Sequence, residues 1–86
     1  AHSEALEQAG ALREALHWIE RLRADDPLQE DHHAAAMRLH HRLGEPAAAL
    51  EVYARCEALL RSELGVAPGA ATQALAARLR AAERLA

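Results

Sequence analysis

An all-α fold of antiparallel helical hairpins, about five helices in number, is predicted by three features of this 86-residue sequence. Turn-forming residues are few: Gly10, Pro27, Gly44 with Pro46, then Gly65, Pro68 and Gly69 cut the chain into five alanine- and leucine-rich blocks. Inside each block the apolar residues recur at helical rather than alternating spacing. Two of the blocks also repeat one another at a fixed offset.

Each element has its own local reasons. In the second block Leu12, Ala15, Leu16, Ile19 and Leu22 share one face. That helix is predicted to stop near Asp25, because Pro27 disfavours the helical conformation in the residue before it. Asp26 is placed to cap the next helix, with Pro27 at its first position and Gln29 three residues after the cap. Glu30 and Asp31 then lie in the first turn, where negative charge complements the helix dipole. The third block sets Ala35, Ala36, Leu39 and Leu43 on an inward stripe and turns Ala34, Arg38, His41 and Arg42 the other way. The fourth starts around Pro46, carries Leu50, Tyr53, Cys56, Leu60 and Leu64 inward, and ends at Gly65. The last aligns Leu75, Leu79, Ala82 and Leu85.

Composition bounds what such helices can do. Hydrophobic residues make up 51% of the chain, but alanine supplies much of that, Phe is absent, and Trp18 and Tyr53 are the only aromatics. A chain this short buries only about 60 to 65% of its unfolded surface. The core is therefore expected to be thin and leucine-based, and the isolated domain marginal in stability or dependent on another chain. A net charge of −3 and a pI of about 6.1 argue against direct nucleic-acid binding, which needs a positive field. Cys56 is the lone cysteine, so no internal disulfide framework exists. No apolar run approaches the roughly 20 residues that cross a bilayer, and the N-terminus lacks a charged-then-apolar leader. The expectation is one soluble, cytoplasmic domain spanning residues 1–86 with no membrane partner.

The repeat joins GALREAL at Gly10–Leu16 to GEPAAAL at Gly44–Leu50, a shift of 34 residues. Carried onward, it pairs Ile19 with Tyr53, Arg21 with Arg55, Leu22 with Cys56 and Ala24 with Ala58. A helical period of about 34 residues resembles the tetratricopeptide repeat, and Ala15, Ile19 and Pro27 fit its alanine, large apolar and proline spacing. The second copy has Arg61 where the proline would fall, so its second helix is expected to run long. His33, Ala36 and Met37 occupy the Trp and Leu-Gly positions of the repeat's first helix. The first copy begins late in the period, which leads to the expectation of a shortened leading helix and a missing upstream segment.

A more specific likeness runs through DDPLQEDHHAAAMRLHHRLGEPAAALEVYARCEALLRSELGVAPG. Asp26, Pro27 and Leu28, the acidic Glu30 and Asp31, His33, and Met37, Arg38 and Leu39 are followed by Gly44, Ala49, Leu50, Tyr53, Leu59 and Leu60. The stretch closes on Glu63, Leu64, Gly65, Val66 and Pro68, its most specific part. This pattern resembles the bacterial transcriptional activator domain of SARP-type regulators, over roughly residues 10–80. Gly69 departs from it, standing where the family often has a capping serine; the loss is worth only a few tenths of a kcal/mol. The resemblance implies a tetratricopeptide-like bundle excised from a larger regulator, in which a winged-helix domain reads the promoter. Its implied partners are that adjoining DNA-binding domain, RNA polymerase or a second protomer in a homodimer.

The remaining residues offer little chemistry. DHHAAAMRLHH, Asp31–His41, holds four of six histidines, yet at ~1.5 Å rise per residue His33 and His40 lie roughly 10 Å apart along the axis. Helical metal pairs need spacings of three or four residues, which no pair here has. His33 and His40 are therefore read as edge positions of the apolar stripe, His32 as packing on a neighbouring helix and His41 as exposed. A pH-sensitive role, or a metal shared between protomers or recruited with His2 or His17, is the alternative. Ser3 and Thr72 are read as helix caps and Cys56 as a small buried apolar group. The cluster Asp25, Asp26, Glu30 and Asp31 is read as a helix start rather than an acid–base pair. No catalytic residue, cofactor or resident metal is assigned.

A contact surface is the remaining candidate. Asp31, Ala34, Arg38, His41 and Arg42 line the first-helix face of a tetratricopeptide-type groove, where Arg38 and Arg42 can clamp a carboxylate; a solvated helix face is the alternative. Trp18, at the border of its stripe, is expected to be partly exposed and to anchor a neighbouring domain or chain, or else to pack on the first helix. The sequence thus predicts a non-enzymatic protein-contact domain of a transcriptional activator. A peptide-binding adaptor is the second reading and a histidine-based metal or pH sensor the third.

Overall fold

The computed structural model describes the backbone of residues 2–85 and side chains from residue 8 to 85. The side chains of His2 and Ser3 lie outside it. Four helices and no strand are present among the described residues: α1 (His2–Asp25), α2 (Glu30–Arg42), α3 (Pro46–Leu64) and α4 (Ala70–Leu85). The all-α class stands, with one helix fewer than expected. The difference arises at Gly10, where α1 runs straight through. A single helical glycine costs about 1 kcal/mol relative to alanine. With no proline beside it, that is too little to end a run of alanine, leucine and glutamate.

The α1–α2 connection also differs from the expected cap. α1 does stop at Asp25, but Asp26 to Gln29 form a turn closed by the Gln29 N–H donating to the Asp26 carbonyl at 3.2 Å. Asp followed by Pro fits the first two positions of a β-turn as well as it fits a helix start, and here the turn wins. Gln29 holds the cap position of α2 without a side-chain bond, while Glu30 and Asp31 occupy the first turn as predicted. Pro46 opens α3 and Gly65 ends it, at φ +66°, with Gly65 and Val66 donating back to the Arg61 and Leu60 carbonyls. This is the left-handed stop that glycine adopts without steric penalty.

Packing centres on α2, which touches α1, α3 and α4, while α4 also lies on α3. The core takes Leu16 from α1, Ala36 and Met37 from α2, Ala49, Val52 and Tyr53 from α3, and Leu75, Ala76 and Leu79 from α4. Alanines at these contacts let helix axes approach closely. Ala34, expected to face outward, is buried because α4 passes beside it. Conversely Leu22, Leu64 and Leu85, expected inward, are exposed. Each lies near the C-terminal end of its helix, where the neighbouring helix gives little cover.

The start of α4 is held from a distance. Glu30 of α2 extends one carboxylate oxygen to the Gly69 N–H at 2.9 Å and to the Thr72 hydroxyl at 2.6 Å. It thus does across the fold what a capping serine would do locally. A Cβ at residue 69 would meet that same oxygen at 3.2 Å, so glycine gives the carboxylate room. Thr72, predicted as a cap, is buried and donates to Glu30 instead. Glu30→Ala is expected to cost about 1 to 2 kcal/mol in urea unfolding, since it orphans a helix-start N–H and a buried hydroxyl. Gly69→Ser in the otherwise unchanged chain should not stabilise. A loss under about 0.5 kcal/mol for Glu30→Ala would contradict this reading.

Candidate functional site

Two of the four clustered histidines on α2 are structural ties. His33 is buried between the end of α1 and the turn after it, deeper than the stripe edge expected for it. Its Nδ1 accepts from Arg23 Nε at 3.0 Å and its Nε2 lies 2.6 Å from the Pro27 carbonyl. A guanidinium only donates, so Nδ1 is the acceptor and Nε2 carries the proton to Pro27. Arg23 is itself held by Glu20 at 2.7 Å. His40 lies at the opposite end of α2, its Nδ1 2.9 Å from Glu45. Glu45, the residue before α3, also takes two hydrogen bonds from Arg13 of α1, so one carboxylate joins three helices. His32 is half-buried, its Nδ1 enclosed without a hydrogen-bond partner among the described residues, and His41 is exposed. His17 stands edge-on to Trp18 on the outside of α1, far from this set in sequence and role.

The other chemistry-bearing groups are similarly engaged. Cys56 is fully enclosed, and burial, followed by the nearby Glu30 charge, pushes its thiol above its ordinary value. Both effects disfavour the thiolate needed for nucleophilic attack. Of the acidic cluster, Asp25 and Asp26 are exposed while Glu30 is committed to α4. Among the described residues no three His, Cys, Asp or Glu side chains converge to hold a metal, and no helix is long and apolar enough to cross a membrane.

The contact residues singled out from sequence fall in two places. Asp31, Ala34 and Arg38 of α2 face Ala71, Thr72, Leu75 and Arg78 of α4 across a cleft of about 220 Å³. Further along, Arg38, His41 and Arg42 face Leu75, Arg78 and Leu79 across one of about 280 Å³. Arg38, Leu75 and Arg78 border both, making a single groove whose α2 wall consists of the five predicted residues. Its α4 wall was missed, although Leu75, Arg78 and Leu79 stand at helical spacing in the sequence and mark one face. Trp18 lies elsewhere, 55% exposed on α1, with the Arg21 guanidinium over its ring at 5.2 Å.

A family model described as the bacterial transcriptional activator domain matches residues 1–80. The chain belongs to that family. Neither the curated proteins nor the solved structures compared with it give a match. The activator domain is thus a regulatory, transcription-related module whose described residues form four helices joined by short connections, with Glu30, His33, His40 and Glu45 tying them together.

One joint should report itself in acid. Hydrogen bonds from His40 and then Arg13 hold the Glu45 carboxyl below its ordinary value of 4.5. The unfolded chain therefore binds the proton more readily. The stability this gives is present above about pH 4.5 and lost as pH falls through the lowered folded value. Glu45→Gln should accordingly be less stable than the wild type at neutral pH, with the gap closing in acid. Thermal melts between pH 7 and pH 3 measure it, and a gap independent of pH would contradict the assignment.

Proposed function

We propose that this domain is a non-enzymatic regulatory and protein-contact module of a bacterial transcriptional activator, working in the cytoplasm. The observation that carries this reading is the family match over residues 1–80. In it, α1 buttresses a winged-helix DNA-binding domain, and other faces meet RNA polymerase or a second protomer. Trp18 and Leu22, both exposed on α1, support an anchor there, since large aromatics dominate protein interfaces when covered. The net charge of −3 supports leaving promoter contact to the adjoining domain.

A second reading, a tetratricopeptide-type adaptor that takes a peptide, is favoured by the α2–α4 groove. In that arrangement α2 and α3 form one antiparallel hairpin and α4 opens the next. The two readings part upstream of Ala1: the regulator requires a basic winged helix within about 100 codons in frame, the adaptor further helical repeats of about 34 residues.

A functional test uses the full-length regulator on a promoter reporter. Trp18→Asp should lower activation about 10-fold, as expected for loss of an interface aromatic. The melting temperature of the purified domain should hardly change, because surface substitutions stay within about 0.5 kcal/mol. Unchanged activation would remove α1 from the proposed interface.

A further inference from the structure

We infer that the cleft between α2 and α4 binds a small, multiply charged oxyanion of the phosphate class, as the free ion or a small phosphate monoester. The inference goes beyond the protein-contact reading and stands or falls without it. The ten basic side chains of the chain, all arginines, divide by what they touch. Among the described residues, Arg13, Arg23 and Arg55 pair with Glu45, Glu20 and Glu51, while Arg21 and Arg80 lie over the rings of Trp18 and Tyr53. Arg38, Arg42, Arg61, Arg78 and Arg84 do neither. Three of those five, Arg38 and Arg42 from α2 and Arg78 from α4, border a single cleft of about 280 Å³ together with His41. These four side chains are exposed, whereas Leu75 and Leu79 beneath them belong to the core. The groups a solute meets are therefore guanidiniums and an imidazole, and no carboxylate borders this cleft among the described residues. The cleft between α1 and α3 differs: its Arg23 and Arg55 are neutralised from within by Glu20 and Glu51.

The number and placement of donors select the anion. Guanidiniums facing one another with no carboxylate between them repel, and an anion seated there removes that cost while accepting charge-assisted bonds. Each guanidinium can present a fork of two N–H groups, so three forks exceed the roughly four lone-pair sites of one carboxylate. Arg38 and Arg42 stand about 6 Å apart along α2, and Arg78 approaches from the opposite wall. A tetrahedral phosphate group, with three terminal oxygens and a charge approaching about −2, can accept from both walls at once. Size limits the rest of the ligand, because pockets that enclose drug-sized molecules run from about 300 to 1,000 Å³ and this cleft falls just short. An extended polyanion is disfavoured, since Asp31 stands at the end of the groove away from Arg42 and the chain carries a net charge of −3. Bound in the cleft, the ion joins α2 to α4, the pair of touching helices with the lightest contact.

The test titrates the purified 86-residue chain with sodium phosphate at constant ionic strength and follows the arginine side chains by heteronuclear NMR. The Nε resonances of Arg38, Arg42 and Arg78 should move together and saturate with one midpoint, on the order of 1 mM for a few exposed charge-assisted contacts. Arg38→Gln and Arg78→Gln should each raise that midpoint about 10-fold, as for loss of one such contact. Arg61→Gln, which removes the same charge from α3, should leave it unchanged. Matching melting curves for the variants exclude unfolding as the cause. Shifts that grow without saturating, or that appear equally at Arg61 and Arg84, would show general ion screening and overturn the inference. It is overturned too if acetate saturates the same resonances at the same midpoint, or if a duplex oligonucleotide displaces phosphate at a lower concentration of phosphate groups. None of these outcomes touches the activator reading, which is decided by the segment upstream.

Discussion

Everything in this fold leans on the burial of α2. It is the one helix among those described that touches the other three, and Ala36 and Met37 at its middle are wholly shielded from solvent. The molecule is thin, with principal extents of 47 × 32 × 16 Å, about one and a half helix diameters in its shortest direction. A single hydrophobic layer of that kind leaves little stability in reserve, so the placement of α2 decides the placement of the rest.

Polar side chains finish what the apolar layer begins. At one end of α2, His33 ties Arg23 of α1 to the Pro27 carbonyl; at the other, Glu45 gathers Arg13 and His40. Glu30 reaches past both to hold the start of α4. These ties share a logic: a helix end or turn leaves backbone groups unpaired, and a side chain from the next helix satisfies or flanks them. A histidine-rich stretch that suggests metal chemistry by composition is, at its two best-engaged positions, a pair of fasteners. The same arrangement leaves Arg38 and Arg42 unengaged on the face that α4 only partly covers.

The helical class and most boundaries were legible in the sequence because they rest on local rules. Pro46, Gly65 and the acidic first turn of α2 act within a few residues of where they sit. The misreadings came where a local signal competed with another local signal or with a distant partner. Asp26 and Pro27 encode a turn and a helix start almost equally well, and chain reversal onto α2 selects the turn. Gly10 reads as a break only if its modest propensity cost is given too much weight. Ala34, Leu22, Leu64 and Leu85 were misjudged because helical periodicity says which face is apolar but not how far the neighbouring helix extends. The groove was half legible: its α2 wall follows from the helix face, while Arg78 and the leucines beside it needed the return of α4 to be seen as its second wall. Glu30 as the cap of α4 was invisible, since 39 residues separate it from Gly69.

Membership in the activator-domain family gives this scaffold its setting, and the dependence of both scaffold and groove on α2 is the claim most open to test. Hydrogen exchange resolved by residue on the purified chain addresses it directly. If α2 is the element on which the others rest, its amides from Ala36 to Leu39 exchange only through global unfolding and are the slowest in the chain. The C-terminal ends of α1 and α4, where Leu22 and Leu85 are exposed, then exchange earlier by local opening. Should the α2 amides exchange while those of α1 and α4 remain protected, the helices hold together without α2, and the account given for both the fold and the groove is wrong.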